Sequence, residues 1–465
     1  MIMYKRFFIL IVFFSSICLS QFTFGQGINK QELPKKVRIL FLLDGSGSML
    51  AKWENLTRMD IAKRLLVDIV DSLKVNPDLE LGLRVYGHMY DKRYNNCTDS
   101  KLEVPFVKGN HENIKYKIRN LKPQGVTPIA YSLEQAANDF PKEKNVRNII
   151  IIITDGLESC KGDPCAVSLA LQKKNIFLKP FIIGIGGEQG FAEAFQCMGK
   201  YYDADNVDKF RKALKTAIRQ TLYKTTVTVS LLNIKDQPKE TNVNMTFVNN
   251  VTGEAKYDFV HLLDKNGNPD TLEVDPVLSY DLVINTIPKV VKKNIQLEGG
   301  MHNDISVKTP QGSLSFSPVL FDVTPQILVR QNGRTEILNI QKLNLSENYL
   351  VGKYDLEVLT LPRLIIENVA IHQSKNTVID IPSPGKLIIL DNFTGFGSLY
   401  KIKEDGSQEW IYNFENNNSR MTLTLMPGDY KMVFRAEKAF TSKFTDVQNF
   451  TIKSGSNNHI KLFSK

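Results

Sequence analysis

An unbroken run of five isoleucines, Ile149–Ile153, constrains the fold of this chain more than any other feature. A strand with one face in water alternates apolar and polar residues, whereas a strand that is covered on both faces is apolar throughout. Strands of the second kind belong to parallel sheets with helices packed on each side. A second, largely apolar run covers Val37–Leu43. We therefore expect an α/β domain built on a doubly wound, mostly parallel sheet.

Between residues 36 and 224, such runs alternate with segments that have the apolar spacing of an amphipathic helix. Ile61, Leu65 and Ile69, for example, are one helical turn apart. The predicted strands are Val37–Leu43, Leu79–Tyr86, Lys101–Phe106, Arg147–Thr154, Ile176–Ile185 and Tyr201–Asp203. The predicted helices are Met59–Leu73, Glu112–Leu121, Ile129–Phe140, Pro164–Gln172, Phe191–Met198 and Val207–Leu222. This alternation predicts one domain over residues 36–224.

The rest of the chain is β-rich and repetitive. Helical spacing stops after Thr225, and short alternating runs follow between turn residues. The segment Tyr280–Pro288 recurs at nearly equal intervals as Tyr354–Pro362 and, more faintly, as Tyr430–Phe434. Three repeats indicate three small β-sandwich modules, which we place at residues 225–311, 312–384 and 385–465.

The N-terminus has the pattern of an export signal. Lys5 and Arg6 precede the apolar run Phe7–Leu19, which is too short to cross a bilayer, and small residues follow it. Residues 1–25 are therefore predicted to be a signal peptide, and the alternative of a lipoprotein signal would need Cys18 as the lipidated residue. No later segment is apolar enough to be a transmembrane span. We expect a protein of the periplasm or of the cell surface.

The net charge of +10 does not indicate a nucleic-acid partner. Lysines are spread over every segment and no basic cluster forms, and export would separate the protein from DNA and RNA. A generally basic surface is compatible with peripheral association with an anionic envelope polymer or lipid face.

Four cysteines remain after the signal: Cys97, Cys160, Cys165 and Cys197. An even number in an oxidising compartment predicts two disulfides, and the residues alone allow three pairings. Zinc binding is the competing interpretation, but no Cys-x-x-Cys motif is present and the histidines are not grouped near the cysteines.

Oxygen-bearing side chains follow the apolar strands. Asp44, Ser46 and Ser48 come directly after the first strand, Thr127 lies in a loop before a helix, and Asp155 ends the isoleucine strand. Because the carboxyl ends of parallel strands share one edge of a sheet, we expect these segments to converge. Hydroxyl and carboxylate oxygens suit hard cations, Mg²⁺ first, with Ca²⁺ or Mn²⁺ as alternatives. The alternative interpretation is that the serines only cap turns and no metal binds.

The order of a strand with Asp-x-Ser-x-Ser, a loop threonine and a strand with Asp-Gly resembles the von Willebrand factor A domain and its metal-ion-dependent adhesion site. The resemblance covers roughly residues 36–224 and extends to Leu83–His88 and Glu158–Cys165. It implies that Ser46, Ser48 and Thr127 contribute hydroxyl oxygens. It also implies that Asp44 and Asp155 bind the ion directly or through water, and that an acidic group of a partner completes the coordination.

The strand order of the family would bring all four cysteines close to the metal edge. It implies the pairs Cys97–Cys160 and Cys165–Cys197, while a local Cys160–Cys165 bond stays open. Three further residues are candidates for the rim of the site: Trp53, His88 and Glu158. Each has a structural alternative, since Trp53 could cover the core and a histidine at such an edge often serves structure.

We expect a secreted or periplasmic binding protein, not an enzyme, that captures an acidic group on a protein or glycan and is displayed on a stalk of β-modules. The first alternative is a scaffold in an envelope complex, with a structural metal that a carboxylate of the first β-module completes. The second is a metal-dependent hydrolase, for which Glu158 near Asp155 is the nearby candidate base.

Overall fold

The computed structural model describes residues 36–76, 78–143, 146–173, 181–185, 190–195, 197–198, 200–276, 278–390, 394–414 and 421–463. The predicted signal at residues 1–25 and the first part of the predicted strand Ile176–Ile185 lie outside these ranges. Within them, no helix is both long and apolar enough to span a bilayer.

The first domain alternates strands and helices as the apolar spacing predicts. Its strands are β1 Lys36–Asp44, β2 Lys52–Trp53, β3 Leu56–Thr57, β4 Leu79–Tyr86, β5 Ser100–Val107, β6 Val146–Thr154, β7 Phe181–Ile185 and β8 Lys200–Ala204. Its helices are α1 Arg58–Ser72, α2 His111–Asn120, α3 Ile129–Asp139, α4 Pro164–Lys173, α5 Phe191–Phe195 and α6 Val207–Leu222. Short 3₁₀ turns lie at Gly47–Leu50, Leu73–Val75 and Lys92–Tyr94.

The described strands of this domain form a sheet of order β5-β4-β1-β6-β7-β8, with β2 and β3 as a separate hairpin. All neighbours in the sheet are parallel except the edge pair β4–β5. The mostly parallel, doubly wound sheet predicted from the apolar runs is confirmed. Strand order reverses around β1, so the loops after β1 and β6 diverge at the carboxyl edge, where such folds form their binding crevices.

The isoleucine strand is buried on both faces, as its composition requires. Ile149, Ile151 and Ile153 belong to a hydrophobic cluster with α1 and α6. Ile150 and Ile152 belong to a second cluster with α3 and α4. All five side chains are fully buried, which stabilises the fold by about 1.5–3 kcal/mol for each. This two-sided burial makes β6 and its neighbour β1 a rigid base for the loops that follow them.

The C-terminal half consists of small β-sheets. The strands of the first unit are β9 Thr226–Leu232, β10 Asn244–Asn249, β11 Ala255–Val260, β12 Thr271–Glu273, β13 Ser279–Ile284, β14 Val290–Gln296 and β15 His302–Lys308. Those of the second are β16 Gln311–Phe316, β17 Gln326–Gln331, β18 Ile337–Lys342, β19 Glu347–Leu350, β20 Gly352–Val358, β21 Leu364–Ile371 and β22 Asn376–Ile379. Those of the third are β23 Gly385–Ile389, β24 Gly395–Ile402, β25 Gln408–Phe414, β26 Met421–Leu425, β27 Gly428–Ala436, β28 Thr445–Ile452 and β29 Asn457–Ile460.

The three units share one topology in their described residues. Each has a three-stranded sheet, β12-β9-β15, β19-β16-β22 or β26-β23-β29, and a four-stranded sheet, β11-β10-β13-β14, β18-β17-β20-β21 or β25-β24-β27-β28. The first and last strands of each unit pair in parallel, and the other pairs are antiparallel. The β-sandwich modules are confirmed as a class, and their limits near residues 311 and 384 stay predictions.

The repeated tyrosines hold equivalent places in these units. Tyr280, Tyr354 and Tyr430 lie in β13, β20 and β27 and are buried. Each hydroxyl donates a hydrogen bond to a backbone carbonyl four or five residues earlier in the chain, at 2.7 Å for Tyr280 and Tyr354. Burial raises the pKa of Tyr354 to about 12. The sequence repeat therefore marks a buried tyrosine that ties the turn before each strand to the core.

Candidate metal centre

The loop after β1 turns sharply at Gly45. A Cβ on Gly45 would lie 2.8 Å from the carbonyl oxygen of Tyr86, so the neighbouring β4 leaves space for glycine alone. The turn returns the backbone amide of Ser46 to Asp44, where it donates a 2.7 Å hydrogen bond to Oδ1. Asp44 is thus fixed at the end of the strand with its side chain fully buried.

A series of hydrogen bonds through Ser46 and Ser48 links the two aspartates. The Oγ atoms of Ser46 and Ser48 are 2.9 Å apart, and Ser48 Oγ donates to Asp155 Oδ1 at 2.7 Å. On the other side, Thr154 Oγ1 donates to Asp44 Oδ2 at 2.7 Å. The two strands β1 and β6 therefore present their terminal carboxylates to one group of hydroxyls, as the sheet topology predicts.

Thr127 joins this group from a third loop. A Cβ on Gly156 would lie 3.8 Å from Thr127 Oγ1 and 3.9 Å from Ser48 Oγ, which places both hydroxyls beside the same glycine. Ser159 holds the loop, because its Oγ accepts a 2.8 Å bond from the Thr127 amide and its own amide donates to the Thr127 carbonyl. All five predicted ligand residues are brought together at one edge of the sheet.

The group is buried except on one side. Asp44, Ser46, Thr127 and Asp155 are buried, whereas Ser48 is exposed, so the site reaches solvent at Ser48. Burial and the negative charge of Asp155 together raise the pKa of Asp44 to about 6, although the hydrogen bonds from Ser46 and Thr154 act to lower it. Two carboxylates close together in a buried place repel each other, and a divalent cation bound between them would offset this repulsion.

The donor set fits a hard divalent cation. Three hydroxyl and two carboxylate side chains offer only oxygen, and two negative charges match a divalent ion. Among the described residues, no group of three or more His, Cys, Asp or Glu side chains could hold a metal. A centre here therefore depends on the hydroxyls of Ser46, Ser48 and Thr127, and it does not resemble a zinc site.

Two disulfides stiffen the surrounding loops. Cys97 pairs with Cys160 and Cys165 pairs with Cys197, with Cα–Cα distances of 5.6 and 5.5 Å. This is the predicted pairing, and the local Cys160–Cys165 bond is not formed. Because all four sulfurs are used in these two disulfides, none is left to bind zinc, and the zinc interpretation of these cysteines is wrong.

The three rim candidates all have structural roles. Trp53 is 9% exposed, packs on Phe210 and donates from Nε1 to a backbone carbonyl, so it covers the core. His88 lies with its Nε2 3.2 Å from Glu103 Oε1, and only 10% of its side chain is exposed. The carboxylate of Glu158 accepts hydrogen bonds from the backbone amides of Ala130 and Cys160. Glu158 thus joins the start of α3 to the disulfide loop.

Sequence reasoning missed three residues of the site. Arg58, the first residue of α1, contacts Asp155 Oδ2 through Nη1 at 2.8 Å. Thr154 holds Asp44, and the fully buried Asp99 accepts hydrogen bonds from two amides of the loop that carries Cys97. Thr154 could have been found from its place next to Asp155, but nothing in the local pattern distinguishes Arg58 from a surface arginine.

Comparison with known proteins identifies the domain. The family model of the von Willebrand factor type A domain matches residues 39–158, a span that contains all five candidate ligands. The protein YwmD of Bacillus subtilis (strain 168) is 31% identical over 185 residues, which are 38% of this chain and 82% of YwmD. YwmC of the same organism is 24% identical over 203 residues, 43% of this chain and 88% of YwmC. Both relatives are described as uncharacterized proteins.

Among solved structures, the conserved hypothetical protein BatB from Bacteroides thetaiotaomicron is 22% identical, with a TM-score of 0.32 over 40% of this chain and 98% of BatB. The region matched by the family model contains the candidate centre, and the domain has the mostly parallel sheet expected from the resemblance. YwmD is 31% identical over most of its length. The chain therefore belongs to the von Willebrand factor type A domain family.

Proposed function

We propose that this protein binds a partner through a divalent cation, Mg²⁺ first, held by Asp44, Ser46, Ser48, Thr127 and Asp155. The observation that carries the proposal is the hydrogen-bonded connection from Asp44 through Ser46 and Ser48 to Asp155, with Ser48 at the solvent boundary. A cation bound there would supply a Lewis acid that an acidic group of a protein or glycan could coordinate.

Each residue at the candidate centre has a distinct part in this proposal. Asp44 and Asp155 supply the charge, and the hydroxyls of Ser46, Ser48 and Thr127 supply neutral oxygens that leave room for an outside ligand. Thr154 fixes the Asp44 carboxylate at 2.7 Å, so the ligands are oriented before any cation arrives. Ser48 is the exposed member and marks the direction from which a partner approaches.

The position of the first β-module supports an outside partner over an internal one. Arg147 contacts Asp275 of this module with a distance of 3.2 Å between Nε and Oδ2. Arg147 lies at the start of β6, eight residues before Asp155, and a strand of that length spans about 26 Å. The module thus meets the domain near the edge opposite to the candidate centre. A carboxylate at this contact is too far away to complete the coordination of the proposed cation.

The hydrolase alternative lacks support from the residues that it needs. Both carboxylate oxygens of Glu158 accept backbone hydrogen bonds, and His88 is paired with Glu103. Neither residue has the exposed, unengaged position of a general base that faces a bound water. Binding is therefore the function that the geometry supports best.

We place the protein outside the cytoplasm, in the periplasm or at the cell surface. Two disulfides form between cysteines far apart in sequence, and such bonds persist in oxidising compartments. The three β-units would display the binding domain, and the excess of basic residues would favour peripheral contact with an anionic envelope.

A pull-down from envelope extracts tests the proposal. The parent protein should retain a partner in Mg²⁺ and release it in EDTA, and Mg²⁺ should raise its melting temperature. Asp44→Ala should lose both effects. Asp208→Ala, which removes a carboxylate 90% exposed on α6, serves as the matched control and should behave as the parent does. Equal Mg²⁺ shifts in the parent and in Asp44→Ala would overturn the metal assignment.

A further inference from the structure

The third β-unit differs from the other two on the outer face of its four-stranded sheet, β25-β24-β27-β28. Alternate residues of β24 and β27, such as Leu399 and Met432, are buried in the core of the unit. The residues between them lie on the outer face, because successive side chains of a strand point to opposite sides. We call this surface the aromatic face, since it carries Phe396 and Tyr400 of β24 and Trp410 of β25.

The rings of the aromatic face are exposed, and the indole is held by its neighbours. Trp410 is 56% exposed and Phe396 is 55% exposed, although large aromatic side chains usually bury most of their surface. Trp410 is directly opposite Tyr400, and its Nε1 donates a 2.8 Å hydrogen bond to Asn413 Oδ1. Ser398 Oγ donates to the same oxygen at 2.7 Å. The indole is thus oriented in advance, with polar groups beside it.

Two cations lie directly opposite rings on the same face. Arg435 of β27 pairs with Phe396, and its Cζ lies 5.8 Å from the centroid of the Phe396 ring. Lys431 of β27 pairs with Tyr400. Because directly opposed side chains are about 4.5–5.5 Å apart at their Cβ atoms, each cation is next to a ring. A ligand that packs on the rings therefore also meets positive charge.

The acids of this region lie outside the stretch between the two cations. Asp429, near the start of β27, accepts the hydroxyl of Thr451 at 2.5 Å, and Glu437 follows the end of the strand. Residues 385–465 contain 11 lysines and arginines against 8 aspartates and glutamates, whereas acids are in excess in the corresponding ranges of the other two units. The charge of the third unit therefore favours an anionic ligand.

The other two β-units have the same topology without this arrangement. In all three units, the first two strands of the four-stranded sheet pair with a register shift at the same place, so equivalent positions can be assigned. One row of directly opposed residues is Trp410–Tyr400–Lys431 in the third unit, Ala255–Val248–Asp281 in the first and Ile337–Arg330–Asp355 in the second. Asp281 and Asp355 each accept a hydrogen bond from a backbone amide of the adjacent strand. The repeat therefore folds without a ring or a cation in this row.

Rings, cations and fixed polar groups together fit an anionic polysaccharide. The C–H faces of sugar rings pack on aromatic rings, and negative groups of the polymer pair with Lys431 and Arg435. Phe396 and Tyr400 are four residues apart on one strand, about 13 Å, so the face can contact more than one sugar ring. A lipid surface fits less well, because the side chain of Asn413 would lose its contact with water when the rings enter hydrocarbon.

We propose that the aromatic face of the third β-unit binds an anionic polysaccharide. This site goes beyond the proposed function, since it lies outside the candidate metal centre and needs no cation. The third unit is then a second binding module, which attaches the protein to a carbohydrate polymer while the first domain binds its own partner.

The test uses the full chain in EDTA with polygalacturonate as the probe. The protein has two tryptophans, and Trp53 is only 9% exposed, so a change in tryptophan fluorescence on addition of polygalacturonate reports on Trp410. Calorimetry measures the affinity of the parent and of each variant, and circular dichroism checks that each variant folds. Dextran serves as a neutral polysaccharide, and vesicles that contain phosphatidylglycerol serve as an anionic lipid surface.

The second unit offers matched control variants. Trp410→Ala removes the indole and Trp410→Phe keeps an aromatic ring, whereas Ile337→Ala removes a side chain 45% exposed at the equivalent position. Lys431→Gln removes a cation of the aromatic face. Lys353→Gln removes an exposed lysine from β20, the equivalent strand of the second unit, and changes the net charge by the same amount.

We expect Trp410→Ala to weaken polygalacturonate binding on the order of tenfold, because a ring contact is lost, and Trp410→Phe to keep most of the affinity. Lys431→Gln should weaken binding less, and its effect should shrink at high salt. Ile337→Ala and Lys353→Gln should bind as the parent does. Equal affinities of Trp410→Ala and the parent would overturn the proposal, since only general attraction between a basic protein and a polyanion would remain.

Two further outcomes would also overturn it. One is an equal affinity for dextran, because the cations would then have no role. The other is binding to the vesicles that depends on Trp410, without binding to polygalacturonate, because the face would then belong to a lipid surface.

This proposal and the proposed function fail separately. Asp44→Ala should bind polygalacturonate as the parent does, and Trp410→Ala should keep the rise in melting temperature that Mg²⁺ causes. Loss of polygalacturonate binding in Asp44→Ala would place the polymer at the metal centre and overturn the assignment to the aromatic face.

Discussion

Arg147 at the start of β6 forms an ion pair with Asp275 of the first β-unit, 3.2 Å from Nε to Oδ2, while Asp155 follows the opposite end of the same strand. Only 10% and 12% of the two side chains are exposed. Arg147 also donates to the carbonyl of Thr221 at the end of α6. One strand thus connects the β-unit at one end with the candidate centre at the other.

Removal of this ion pair should affect stability but not the centre. Arg147→Ala removes the cation of a mostly buried ion pair and the hydrogen bond to Thr221, so we expect a loss of about 1–3 kcal/mol in the free energy of unfolding by urea. Mg²⁺ affinity should not change, because the centre is about 26 Å away along the strand. Lys224→Ala, which breaks the exposed pair with Glu273, is the control and should cost under about 0.5 kcal/mol. A large loss of Mg²⁺ affinity in Arg147→Ala would show that the two ends of β6 are coupled.

Thr154→Val should weaken Mg²⁺ binding while the fold persists. The hydroxyl of Thr154 orients the Asp44 carboxylate, and the loss of such a supporting bond typically reduces metal affinity by about 10–100-fold. Thr154→Ser keeps the hydroxyl and should retain most of the affinity. Calorimetric titration of both variants with Mg²⁺ checks this. Equal Mg²⁺ affinities of Thr154→Val and Thr154→Ser would mean that the Thr154 hydroxyl does not orient the Asp44 carboxylate.

The stability of the domain should fall in acid through Glu103. Partial burial raises the pKa of Glu103, but hydrogen bonds from Lys117, Lys101 and His88 outweigh it and lower the pKa to about 2. A carboxyl whose pKa is lower in the folded than in the unfolded state stabilises the protein at pH values above its ordinary pKa of 4.5. This contribution is lost as the pH falls towards 2. Unfolding free energies at several pH values should decline less steeply in Glu103→Gln than in the parent. Parallel curves for the two proteins would contradict this role.

The long-range disulfide should stabilise the loops at the rim. Cys97 and Cys160 are 63 residues apart in sequence, so their bond closes a large loop in the unfolded chain. The double variant Cys97→Ser/Cys160→Ser should lose about 2–4 kcal/mol of stability. Thermal unfolding measures this loss, and the addition of a reductant should lower the melting temperature of the parent more than that of the variant. Peptide mapping without reduction should give the Cys97–Cys160 peptide.

The architecture was predictable because it depends on local patterns. Five isoleucines in a row cannot form a half-exposed strand, so Ile149–Ile153 required helices on both faces, and both hydrophobic clusters are present. Helical spacing located α1, and the repeated tyrosines located equivalent strands in three β-units. The disulfide pairing followed from the strand order of the resembled family, not from the spacing of the cysteines.

The strands, the helices, the repeated units and the oxygen-bearing loops follow from short-range periodicity and from residue type, so the amino-acid order is enough to predict them. Which side chains share a charge or a hydrogen bond depends on the folded domain. Arg58 meets Asp155 across 97 residues of sequence, and Arg147 meets Asp275 across 128. Whether Glu158 faces a ligand or two backbone amides depends on loop conformations that distant strands hold in place. No local pattern encodes such partners, because they are selected by the packing of the whole domain.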